Sequence, residues 1–185
     1  RDRPYAEPRP PVTPGARGAA AGLLAGGVLP IIKHIPGHGR AFADSHHDLP
    51  VVETALETLE AWDFAPFKAL SDMPMVMTAH LVFTAVDARP PATSSKKGIR
   101  LMRQHLGFSG LIMSDDLSMQ ALSGTLTERA EQSLKAGCDV ILHCNGDLGE
   151  MRLVAEGTGK LKGEARRRAE ASLDRLVHTP GPPHG

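Results

Sequence analysis

A chain of 185 residues with 41% hydrophobic content has the length and apolar material of one globular domain. Lys plus Arg and Asp plus Glu each number 21, so no net field draws the chain to nucleic acid or to an acidic membrane. No apolar stretch approaches the roughly 20 residues of a membrane span, RDRPYAEPRPPV lacks a signal-peptide pattern, and Cys138 and Cys144 lack the spacing of a secreted disulfide framework; a small neutral ligand, reduced thiols and a cytoplasmic setting are expected.

In chain order, the Pro- and Ala-rich residues 7–25 hold one expected helix, GARGAAAGLLAGG. VLPIIKH (28–34) is a short apolar run ending in charge, the pattern of a strand buried on both faces. ETALETLEAW then reads as helix, and MVMTAH (75–80) as the second strand. SKKGIRLMRQHLGF sets Ile99, Met102 and Leu106 on one helical face, and LIMSDD (111–116) is the third strand. TERAEQSLKAG is a helix with Gly137 suited to its end, and DVILHCN (139–145) is the fourth strand. Residues 1–175 form one expected unit, with 176–185, including HTPGPPHG, as a disordered tail.

Strands alternating with helices at intervals of about 30 to 45 residues imply parallel pairing through crossovers, in an open doubly wound sheet or a TIM-type (β/α)8 barrel. In a barrel the C-terminal strand ends share one mouth, which would gather Lys33, His34, His80, Asp115, Asp116, His143 and Asn145. Four strands supply half of such a barrel.

The densest chemical signal is KHIPGHGRAFADSHHDLP (33–50), where a strand end enters a Gly-rich loop with four His and two Asp. Gly37 and Gly39 would let the backbone fold over a ligand. Asp44 and His46 lie two apart, so the carboxylate can orient the imidazole and raise its basicity, as a proton shuttle near neutral pH requires. His34, His38 and His46 with an Asp could instead ligate a metal, although their spacing matches no compact metal motif. In GLIMSDDLSM (110–119), alternation on a strand lets one of Asp115 and Asp116 face the axis; capping of the following helix by both is the competing reading.

KHIPGHG, ADSH, TAH, SDDLSM and AGCDVILHCN, in this order, resemble the signature run of family 3 glycoside hydrolases of the β-N-acetylglucosaminidase type. The resemblance implies the C-terminal half of a (β/α)8 barrel, with Asp115 as nucleophile, His46 as acid/base and Asp44 as its assistant. It implies sugar contacts from Lys33 and His34, and from Arg3 in RPY. Family barrels carry four further strands before RPY, with another sugar-binding Asp and Arg that this sequence does not contain.

The implied reaction is retaining: Asp115 attacks the anomeric carbon while His46 protonates the leaving oxygen, and His46 then takes a proton from water. It calls for no metal and no organic cofactor. The implied substrate is terminal N-acetylglucosamine on peptidoglycan fragments, a small carbohydrate partner. Edge-to-edge self-association of two half-barrels is the expected rescue of four unclosed strands. A catalytically inactive half-barrel and a metal-dependent hydrolase are the alternatives.

Overall fold

The computed structural model describes residues 12–41 and 49–176. Helix α1 (Val12–Ala25) precedes strand β1 (Ile31–Ile35), and a two-residue strand β2 (Val51–Val52) follows. Helix α2 (Leu56–Thr58) continues in π geometry through Leu59–Asp63 and is followed by α3 (Ala65–Ala69). Next come β3 (Met75–Thr78), the short β4 (Val82–Phe83) and α4 (Lys96–Arg100), the last prolonged in π geometry through Leu101–His105. The chain ends with β5 (Leu111–Asp116), α5 (Leu126–Ala136), β6 (Val140–Leu142), α6 (Leu148–Thr158) and α7 (Gly163–Leu173).

The four expected strands form one parallel sheet in chain order, β1-β3-β5-β6. Short apolar runs make such strands because both faces need cover, and β-branched and long apolar side chains suit the pleat. Ile32, Val76 and Ile112 lie in register. They pack with Leu59, Phe64, Met102 and Phe108 in the main core beneath the helices. Ile31, Met75 and Leu111, also in register, occupy alternate positions and so face the other side, the interior of a closed barrel. A second, two-stranded parallel pairing of β2 with β4 ties the chain after residue 48 to the segment after β3.

The expected helix GARGAAAGLLAGG lies within and just beyond α1. Helix α5 has both of its ends specified in sequence: Thr125 and Glu128 form a capping box, and Gly137 takes φ 119° at the C-terminus. At the foot of the sheet Asp139 is buried and accepts hydrogen bonds from Ile112 N, Arg103 Nη2 and Arg168 Nη1 at 2.8, 2.5 and 2.8 Å. It thereby joins β5, β6, the π-helical end of α4 and α7. Cys138 beside it is buried, which pushes its thiol up to about 12.

Candidate active site

The site forms at the C-terminal ends of β1, β3, β5 and β6. Lys33 pairs with Met77 and Ile35 with Thr78, so His34 is an extra residue between them. On β5, Met113 pairs with Val140 and Asp116 with Leu142, leaving one extra residue between these two pairs. Such irregularities re-aim side chains where pairing ends. Here they bring His34 Nε2 to 3.5 Å from Asp115 Oδ2, a contact between strands that are not neighbours in the sheet.

Asp115 and Asp116 divide into two roles. Asp116 accepts from Ser118 N at 3.0 Å, Ser118 Oγ at 2.6 Å and Cys144 N at 3.2 Å. Burial raises its pKa, but these donors outweigh burial and hold the carboxyl below the usual range. Among the described residues Asp115 receives one bond, from Asp116 N to Oδ1 at 2.9 Å, and keeps Oδ2 toward His34. One carboxylate is committed to the turn and the other to the mouth. Neither caps the following helix, whose cap is Thr125.

A buried polar relay holds the backbone between them. His80 is fully buried, with Nε2 3.0 Å from Asp116 O and Nδ1 2.8 Å from Thr93 Oγ1. A carbonyl only accepts, so Nε2 carries the proton and Nδ1 accepts from Thr93. Thr93 Oγ1 lies 2.7 Å from Thr78 Oγ1, which accepts from Asp115 N at 3.3 Å. Burial lowers the His80 pKa against the opposing pull of Asp116 and Asp115, so the ring is neutral at pH 7. The sequence marked His80 for the mouth; the structure sets it behind, aligning the Asp115–Asp116 backbone. Thr93 carried no sequence signal.

Burial also lowers the His34 pKa, with Asp115 opposing and Lys33, His38 and His80 reinforcing the shift. A neutral His34 presents one donor and one acceptor beside Asp115, suited to a hydroxyl-bearing ligand. The His34 and His38 rings are 5.3 Å apart. Lys33 is exposed in the middle of β1 and makes no ion pair among the described residues. After β1, Gly37 passes so close to α2 that a Cβ would lie 3.2 Å from Asp63 Cβ, and Arg40 clamps Asp63 at 2.7 Å. No described residue lies within 4 Å of where a Cβ on Gly39 would be, so among the described residues a close approach calls for a glycine at Gly37 and not at Gly39. Arg3, Asp44 and His46 lie outside the described residues.

At the end of β6, His143 Nε2 lies 2.8 Å from Glu150, whose carboxylate also accepts from Asn145. His143 and Asn145 are thus held by the first turn of α6 rather than pointing free into the mouth. Among the described residues, no three His, Cys, Asp or Glu side chains group as metal ligands.

Residues 2–178 match the model of the glycosyl hydrolase family 3 N terminal domain. A beta-hexosaminidase of Bordetella parapertussis is 43% identical over 138 residues, which cover 72% of this chain and 39% of that protein. One from Methylococcus capsulatus is 40% identical, with 78% and 44% covered. Among solved structures, a family 3 β-N-acetylglucosaminidase from Paenibacillus sp. superposes with TM-score 0.75 at 34% identity, covering 85% of this chain and 32% of that one. NagZ from Neisseria gonorrhoeae, solved with N-trifluoroacetyl-D-glucosamine, gives TM-score 0.71 at 35% identity, covering 88% and 50%. The chain therefore spans about two fifths of the length of the curated relatives it matches.

Proposed function

Since the chain belongs to glycosyl hydrolase family 3, we propose that it supplies the nucleophile-bearing part of a β-N-acetylhexosaminidase that removes terminal N-acetylglucosamine from peptidoglycan fragments in the cytoplasm. Asp115 attacks the anomeric carbon, and Lys33, His34 and Arg3 bind sugar hydroxyls. His46, aligned by Asp44, donates a proton to the leaving oxygen and then takes one from water. Carbon passes from the aglycone oxygen to Asp115 and then to water, so the product retains its configuration.

The observation carrying this reading is the split between the two carboxylates: Asp116 is bonded to three donors, whereas Asp115 turns Oδ2 toward His34. A nucleophile must keep an unblocked oxygen at the reacting centre. The ligand of the Neisseria relative, an N-acylated glucosamine, supports the sugar class.

The test uses a barrel completed with its front half and an N-acetyl-β-glucosaminide, with the first-formed anomer read by NMR. Retained β product and lost turnover in Asp115→Ala are expected; inverted product would sink the reading. His46→Ala should lose most activity with poor leaving groups, and an equal loss at the glycosylation step for good and poor ones would remove its acid role. Expressed alone, residues 1–185 should be inactive and associate through the β1 and β6 edges, as light scattering and turnover would show.

A further inference from the structure

Behind the turn that follows Asp116, residues 89–94 and helix α5 enclose a cavity of about 270 Å³ that has no part in the proposed sugar chemistry. Arg89, Arg129, Ser123 and Gln132 form its polar side, and Pro90 and Leu122 part of its apolar side. No Asp or Glu lines it among the described residues.

Arg129 makes no ion pair among the described residues, although Glu150 acts on it at longer range. Its Nε donates to Gly124 O at 3.0 Å and its Nη1 to Leu117 O and Met119 O at 2.8 and 3.1 Å, all neutral acceptors. Arg89 makes no ion pair among the described residues. Two guanidinium groups on one concave wall, with hydroxyl and amide groups beside them and no fixed negative charge, make a site of positive potential. The Arg89 guanidinium fork matches a carboxylate bidentately, Arg129 can add Nη2, the nitrogen not committed to those carbonyls, and the apolar side rewards a ligand that is more than an ion. The volume lies just below the usual range for small-molecule pockets, about 300–1,000 Å³, which suits a ligand of roughly ten heavy atoms.

We propose that this cavity binds a small organic carboxylate, its anionic end between Arg89 and Arg129 and its apolar end against Pro90 and Leu122. This inference stands apart from the sugar reading and uses none of its proposed catalytic or sugar-binding residues, although Thr93 of the relay behind Asp115 also lines the cavity. Because Arg129 also holds the Leu117 and Met119 carbonyls, the ligand would sit directly against the turn containing Ser118, which donates to Asp116.

The test titrates residues 1–185 with benzoate, with its neutral isostere benzamide and with inorganic phosphate, reading Kd by ligand-observed NMR and Tm by thermal melting at low salt. Benzoate should bind in the millimolar range and raise Tm, while benzamide and phosphate bind at least about tenfold more weakly. Arg89→Gln, at an exposed position, should weaken benzoate about tenfold without changing the unliganded Tm, and Arg89→Lys should recover part of the loss. Absence of benzoate binding, equal binding of benzamide, or an unchanged affinity in Arg89→Gln would overturn the proposal. Phosphate binding as tightly as benzoate would overturn its organic component.

Discussion

Asp139 at the foot of the sheet and Asp115 at its mouth are carboxylates on adjacent parallel strands or their flanks, and their surroundings are opposite. Asp139 is buried and receives two arginines and a backbone amide, so its charge is balanced within the fold. Among the described residues Asp115 receives one backbone bond and faces a histidine. The difference follows from the strand direction of a parallel sheet. Bottom ends are closed by helices packing back onto the sheet, whereas top ends leave side chains for loops and ligands. Charge at the foot secures the fold, and charge at the mouth is left for chemistry.

The two ends can be broken separately. In a completed barrel, Asp115→Ala should lower turnover by about a thousandfold or more, as removal of a nucleophile does, with Tm almost unchanged; kcat and a melting curve measured together check both halves. Asp139→Ala should do the reverse. It leaves Arg103 and Arg168 without their shared partner, and breaking such a buried arrangement costs about 3–5 kcal/mol, read by urea unfolding of the soluble fraction. A stable Asp139→Ala with reduced turnover would erase the distinction between the ends.

Asp116 lies between these extremes, a mouth residue doing a structural task. Asp116→Ala deprives Ser118 and Cys144 of their acceptor and should cost about 1–3 kcal/mol in urea unfolding. Its carboxyl is held below the usual range, so the stability it supplies is present above the ordinary carboxylate pKa and is lost as pH falls through the lowered value. The gap between the wild type and Asp116→Asn should therefore narrow on acidification below about pH 4.

The contrast also explains what the sequence could disclose. The four strands were legible because parallel strands buried on both faces are short continuous apolar runs, and the C-terminal end of α5 because a terminal glycine is a local device. The β2–β4 pairing was not, since two-residue strands have no period to read. Nor were the irregularities at His34 and between Met113 and Asp116, which arise from pairing between distant strands. Lys33, His34 and Asp115 were identified as site residues from the family resemblance, and the structure places His34 and Asp115 together. The roles of His80 and Asp116 became visible only through partners far along the chain, Thr93 and Cys144. Helix α7, GEARRRAEASL, gave no signal because Leu173 is its only large apolar residue, and it docks through Arg168 and Ser172 rather than an apolar stripe.

The smallest expected effect tests whether His80 belongs with the structural group. Burial lowers its pKa below the value of about 6.5 that it has in the unfolded chain. The unfolded state therefore takes up the proton first, and stability falls as pH drops below about 6.5 toward the folded value. Protonation would turn Nδ1 into a donor facing Thr93 Oγ1, which must then rotate its own proton away and toward Ala79 O, 3.2 Å off. With at most one proton of difference between the states, the slope stays below about 1.4 kcal/mol per pH unit. His34 titrates in the same direction but is partly exposed, so the two need separating. Unfolding free energies from pH 7.5 to 5 should slope in the wild type, slope almost as much in His34→Gln and flatten in His80→Gln. A slope that survives in His80→Gln and disappears in His34→Gln would move the pH-sensitive histidine from behind the site to its mouth.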